Sequence, residues 1–189
     1  MSLELLDWRR ETAEIYRTVR EDLTPEHAYQ VWCRERRRLF GEHAQSAGRT
    51  AELRFASYDP AWRFDVPVAP AAPLRIEIAT ATDGLVPFER IGRVSLPPVG
   101  TLDVWWLDSY GGGIWLPLRD ANPDTYGGGR YVLDTVKGAD LGGADGRLIV
   151  DLNFAYNPSC AYDEAWACPL APEGNRTTAH VPVGELLPA

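Results

Sequence analysis

The chain of 189 residues lacks most of the marks that declare a function. No apolar run approaches the ~20 residues that a membrane-spanning helix needs. The amino terminus, MSLELLDWRRE, turns charged before an apolar signal core could form, so a cytoplasmic protein with no membrane partner is expected. There are three cysteines, too few for a disulfide framework, and three histidines, none at a zinc-like spacing. Neither a metal nor another cofactor is expected. No Walker loop, dinucleotide fingerprint, GxSxG elbow or HExxH pair occurs. Lysine is almost missing, with Lys137 alone beside eighteen arginines, a bias that reads as coding composition rather than mechanism.

Positive charge is scarce where nucleic acid would need it. The formal net charge is -8; residues 1–50 carry nine basic and nine acidic side chains, leaving ten against eighteen in residues 51–189. An acidic body excludes a nucleic-acid partner. Arg34, Arg36, Arg37 and Arg38 cluster in a helical pattern, which reads as a solvated face or a set of intramolecular ion pairs. With 45% hydrophobic and 24% charged residues, the chain has the composition of an ordinary soluble globule. One domain over 1–189 is expected, with a helical pair at 1–45 and a β-rich core at 51–189.

What is present divides by period. Leu5, Trp8, Thr12, Ile15, Val19 and Leu23 recur at spacings of three and four, the face of a first helix. Thr24 and Pro25 mark the start of a second, whose stripe is Ala28, Val31, Trp32, Leu39 and Phe40, with Cys33 as a core-filling thiol. After about residue 50 the pattern alternates in twos. LRF, RFDVPV, LRIEIAT, FERIGRVSL, TLDVWWL, GIWLPLRD, RYVLD and RLIVDLNF are separated by turn signals such as YDP, TDG, SYGGG and ADG. TLDVWWL and GIWLPLRD form a hairpin with large apolar groups on both faces. The fold class is therefore α+β: a mainly antiparallel β barrel or sandwich core covered by the two amino-terminal helices.

The segments YDPAWRF at 58–64, TYGGGRY at 125–131, DLNFAYNPSCAY at 151–162 and CPLAPEGN at 168–175 together resemble the domain-of-unknown-function 1684 family. LDWRRE and LFGEHAQS at 39–46 add to the likeness. The resemblance covers most of the chain and implies no particular activity.

The same segments hold the candidate site residues. Tyr126 and Gly128 belong to a glycine triplet that is either a hairpin turn or an anion nest, with Arg130 beside it as a fork for a carboxylate or phosphate. Strand alternation turns Asp151 and Asn153 away from Leu148, Val150, Leu152 and Phe154. If RLIVDLNF adjoins RYVLD, Arg130 and Asp151 pair, and Tyr156 and Asn157 extend the polar line. Trp105, Trp106, Tyr110 and Trp115 would line the apolar part of a pocket. Cys160 and Cys168 are expected in contact and reduced, because Pro158 and Pro169 bend the seven residues between them. Three functions stay open: binding of a small-molecule ligand, an enzyme acting through Asp151 or Cys160, and a structural or interaction role.

Overall fold

The 3.6-residue stripes fold as two helices, α1 over Leu3–Glu21 and α2 over Pro25–Glu42. The structure, a computed structural model, describes residues 3–80, 84–166 and 168–188. Glu4 in the first turn of α1 and Arg20 in its last complement the helix dipole, and Arg17 reaches both Glu14 and Glu21 along one face. The helix buries Ile15, Tyr16 and Val19. Leu23, expected on that stripe, is 98% exposed, because α1 has already ended at Glu21. Pro25 opens α2, but the Thr24 hydroxyl caps nothing. The arginine cluster is spent within the chain. Arg38 joins Glu11 of α1 at 2.7 Å, Arg34 joins Glu35, Arg37 lies over the Phe55 ring, and Arg36 turns inward. No helix among the described residues is long and apolar enough to cross a membrane.

The alternating segments form β1 (Arg63–Pro67), β2 (Arg75–Thr80), β3 (Gly84–Leu96), β4 (Gly100–Leu107), β5 (Ile114–Leu118), β6 (Arg130–Asp134) and β7 (Arg147–Asp151). Strands β2 to β6 make one antiparallel sheet in sequence order, and β1 pairs with β7 in a second. The two are stitched where Ala69 and Arg93 exchange backbone hydrogen bonds of 2.8 and 2.9 Å. This is a sandwich-like arrangement and not a closed barrel, since β2 and β6 remain the ends of their sheet. Of the expected turns, TDG falls largely outside the described residues. The LRF segment gives no strand, only a bridge from Phe55 to Glu185.

Both faces of the larger sheet are apolar, as the hairpin pattern requires. Val94, Leu96, Leu102, Val104, Leu116, Leu118 and Val132 join the main core with α1, α2 and β7. Phe88, Trp105, Trp115 and Tyr131 form a smaller cluster on the other side. In the hairpin, Trp105 pairs with Trp115 and Trp106 with Ile114.

The strand expected over RLIVDLNF stops at Asp151, where Leu152–Phe154 tightens into a 3₁₀ turn. It pairs with β1, Arg63 opposite Asp151, and not with β6. Arg130 and Asp151 are consequently not partners. Arg130 is fully buried and meets Asp120 at 2.8 Å, an acid in the loop that leaves β5. Its Nη1 and Nη2 also donate to the backbone carbonyls of Val181, Val183 and Glu185 in the carboxy-terminal segment. Gly184 makes that approach possible. It sits at φ +85°, and a Cβ there would lie 2.8 Å from the Ala155 carbonyl and 3.0 Å from Arg130 Nη1. One residue on, the fully buried Glu185 accepts from Arg36 at 2.8 Å, from the Asn157 backbone N–H at 2.9 Å and from the Tyr162 hydroxyl.

Removing one member of a buried ion pair strands the other charge, which costs ~3–5 kcal/mol. Arg130→Ala and Asp120→Ala should each destabilise by that order, and the double variant by clearly less than their sum. Urea denaturation of the four proteins measures it. Additive single effects would show that the two charges do not act as a pair.

Candidate functional site

A cavity of about 660 Å³ lies between the first half of α1, one face of the larger sheet and the 159–169 segment. Strand alternation builds its floor, since β3 and β5 turn Phe88 and Trp115 to the same side, their rings 4.6 Å apart. Trp8 of α1 and Trp166 close it from the helix and loop sides. Trp115 is 3% exposed, and its indole N–H, out of reach of water, has no hydrogen-bond partner among the described residues.

The aromatic row continues inward from Trp115 to Tyr131 and Tyr156 by edge-on contacts of 5.6 and 5.8 Å. It leads to a smaller cavity of about 70 Å³, bordered by Tyr16, Arg36, Tyr156 and Asn157. The Tyr16 hydroxyl and Asn157 Oδ1 are buried with no hydrogen-bond partner among the described residues. Trp8, Lys137 and Ser159 border both spaces. The large cavity also carries charge from Arg9, Lys137 and Asp134. Lys137 Nζ stands 3.2 Å from Asp134, which raises the ammonium's pKa. Arg9 has no ion pair among the described residues, so two cations face one carboxylate.

The expected site residues are dispersed by this geometry. Of the four hairpin aromatics only Trp115 lines the large cavity. Trp105 is buried with its indole on Asn175 Oδ1 at 2.7 Å, Trp106 is 41% exposed and Tyr110 wholly so. Asn175 in turn donates to the carbonyls of Asp103 and Pro117, stitching β4 to β5, a role that the motif CPLAPEGN did not reveal. The glycine triplet is a turn: the Gly129 N–H donates to the Tyr126 carbonyl at 2.9 Å, and Gly128 lies against the Tyr126 ring. Gly129, at φ +98°, holds a backbone shape that a side chain would strain. Arg130 is committed to Asp120 and the carboxy-terminal carbonyls. Tyr156 stacks its ring under Arg36 at 4.8 Å, and Asn157 clamps Leu186 and Glu185. Sequence reasoning missed Trp8, Phe88, Lys137 and Trp166, and it set Asp134 beside Asp151 and Asn153, on a strand that β7 does not pair with. The only signal for any of the missed residues was that Lys137 is the single lysine.

Asp151 and Asn153 form a separate polar node. Asn153 exchanges 2.9 Å hydrogen bonds with the backbone of Asp59, so the DLNF and YDPAW segments lock together. Asp151 Oδ1 accepts from the Asn153 backbone and side-chain N–H groups, while Oδ2 is buried without a hydrogen bond, 3.8 Å from Arg63 Nε. Burial pushes this carboxyl up to about 6, against the hydrogen bonds from Asn153 and the Arg63 charge.

Cys160 and Cys168 are in contact. The Cys160 backbone N–H donates to Cys168 Sγ at 3.4 Å, and the Tyr126 hydroxyl donates to Cys160 Sγ at 3.7 Å. Both thiols are half-buried, and Cys168 borders the large cavity. The hydrogen bond from Cys168 pulls the Cys160 thiol down to about 6, and the same bond, with burial, pushes Cys168 up. Cys33 is buried among core groups, its thiol pushed up to about 11 by desolvation. For a metal, Asp7, Glu11 and His43 bring ligand atoms within 4.8 Å of one another among the described residues. Their chemistry is already committed. His43 Nδ1 accepts from the Gln45 N–H, which leaves the proton on Nε2 facing Asp7, and Glu11 holds Arg38.

The family model described as "Protein of unknown function (DUF1684)" matches residues 50–186, and the chain belongs to that family. No curated protein matches it. A solution NMR structure of an uncharacterized protein from Haloarcula marismortui is similar, at 27% identity and a TM-score of 0.56, over 85% of this chain and 95% of that one.

The Asp151 carboxyl, at about 6 when folded and near its ordinary ~3.9 when unfolded, stabilises the fold fully only below about pH 4. That contribution is lost as pH rises through 6. Asp151→Asn keeps an acceptor for the Asn153 N–H and cannot ionise. Relative to the parent it should gain on the order of 2–3 kcal/mol between pH 4 and pH 7.5. Denaturant melts at both pH values test this, and a pH-independent difference would remove the premise.

Proposed function

We propose that the protein binds a small molecule in the cavity between α1 and the sheet, one that is flat and apolar over most of its area and carries an anionic group. The observation that carries this reading is a large cavity walled by Trp8, Phe88, Trp115 and Trp166, with Arg9, Lys137 and Asp134 as its charged groups. A volume of about 660 Å³ lies within the usual range for small-molecule sites, as does a lining of aromatics with few polar anchors. The anionic preference follows from Arg9 and Lys137 against Asp134 alone. Asp151 does not line either cavity, so the geometry does not favour an enzyme built on it.

Anilinonaphthalene sulfonate, an aromatic body with one sulfonate, is a direct probe. It should bind saturably with quenching of tryptophan fluorescence. Val86→Trp, which fills the cavity from its wall, should abolish binding while leaving the melting transition in place. Lys137→Gln should weaken the sulfonate about tenfold, or ~1.4 kcal/mol, and leave an uncharged naphthalene analogue unaffected. Binding that survives Val86→Trp would place the probe elsewhere and sink the reading.

A further inference from the structure

The cavity reading leaves one chemically distinctive cluster unused, the two contacting cysteines in the 159–169 segment. We propose that Cys160 and Cys168 form a thiol–disulfide exchange centre, in which Cys160 attacks a low-molecular-weight disulfide and Cys168 resolves the product into an internal bridge. The proposal stands apart from ligand binding in the cavity and does not depend on it.

Three geometric features support this division of roles. The sulfurs belong to one short loop closed by Pro158 and Pro169, and the Cys160 N–H already rests on Cys168 Sγ. The two thiols also lie within hydrogen-bonding reach of each other, so the sulfurs are neighbours before any bond forms. The environment is also asymmetric. Cys160 Sγ accepts from the Tyr126 hydroxyl, and the Lys137 charge is close enough to favour its thiolate. Cys168 instead receives the Cys160 N–H and borders the large cavity, and its contact with Cys160, with burial, raises its pKa, which suits a group that reacts second. Finally, both thiols are partly open to solvent, unlike the core Cys33.

The exchange is balanced as follows. The Cys160 thiolate attacks one sulfur of a disulfide RSSR; its S–S bond breaks, a Cys160–S–S–R bond forms, and RS⁻ leaves. Cys168 then loses its proton to that departing thiolate, and its sulfur attacks Cys160 Sγ. The mixed disulfide breaks, the Cys160–Cys168 bond forms, and the second RS⁻ leaves to be protonated from solvent by the proton that Cys160 gave up. Two protein thiols are oxidised and one disulfide is reduced to two thiols, a transfer of two electrons. Because Ser159, Trp166 and Cys168 border the large cavity, closing the bridge fixes part of its wall.

The test uses the full reduced chain, oxidised glutathione as the disulfide, acid quenching and peptide mass spectrometry. The parent should lose two hydrogens at a Cys160–Cys168 bridge while Cys33 stays free. Cys168→Ser should stop at a glutathione adduct on Cys160. Cys160→Ser should slow modification of the remaining loop thiol by an order of magnitude or more. In the parent, iodoacetamide alkylation of Cys160 should half-titrate below the ordinary thiol value of ~8.5. Separate stable adducts on both cysteines, first attack on Cys168, or an ordinary titration at Cys160 would overturn the proposal. None of these readouts involves the cavity probe, so failure here and failure of ligand binding are distinguishable.

Discussion

A guanidinium without access to water, Arg130, is the constraint on which the rest of the structure depends. A buried charge must be neutralised and its donors filled, and this one draws on two parts of the chain to do it. Asp120 supplies the charge, and the carbonyls of residues 181–185 fill much of the donor fork. The carboxy-terminal segment is thus held by the first residue of β6. Burial lowers the pKa of Arg130 and Asp120 opposes the shift, so the pair is held together against solvation and not by it. Glu185, at the end of the same segment, then presents its carboxylate to Arg36 of α2. Sheet, carboxy-terminal segment and helix are coupled through two adjacent buried ion pairs.

The cavity follows from where those ties act. Arg36 sits over the rings of Phe40 and Tyr156 and pins the middle of α2, and α1 is held against α2 by Arg38 and Glu11. The start of α1, where Trp8 packs on Phe40 and His43, carries Leu5, Trp8 and Arg9 to the same cavity that the Phe88–Trp115 face borders. A sheet that is apolar on both sides needs cover on both. Here the second face is covered only in part, by a helix and a loop, and the remaining space is the cavity.

Much of this was legible in the residues, and what was not has definite causes. The helices follow from their 3.6-residue stripes, and the hairpin of β4 and β5 from alternation around a glycine-rich turn, because each signal is local. The Arg130–Asp151 pairing failed because it required two strands to be neighbours, and alternation says nothing about which strand lies beside which. The true partner, Asp120, ends the alternating segment GIWLPLRD but lies past Leu118, the last residue of β5, where alternation no longer says which way a side chain points. Leu23 failed because a stripe continues in the sequence after the helix has stopped. The same limit hid Asn175, whose amide links Trp105, Asp103 and Pro117 across a gap of about sixty residues or more. The cavity lining came from six different segments, so no single window contained it.

The family match over residues 50–186 adds a division within the cavity itself. Phe88, Trp115, Asp134, Lys137 and Cys168 lie inside the matched span, whereas Leu5, Trp8 and Arg9 lie before it. The floor, the Lys137–Asp134 pair and Cys168 therefore lie within the span that the family model matches, and the helix that carries Arg9 lies before it. Shape and net charge are set on different sides. A chain with the same core under a different helix would keep the Phe88–Trp115 floor and the charged pair, but it would change the cavity's depth and lose Arg9, the cation that tips its balance positive.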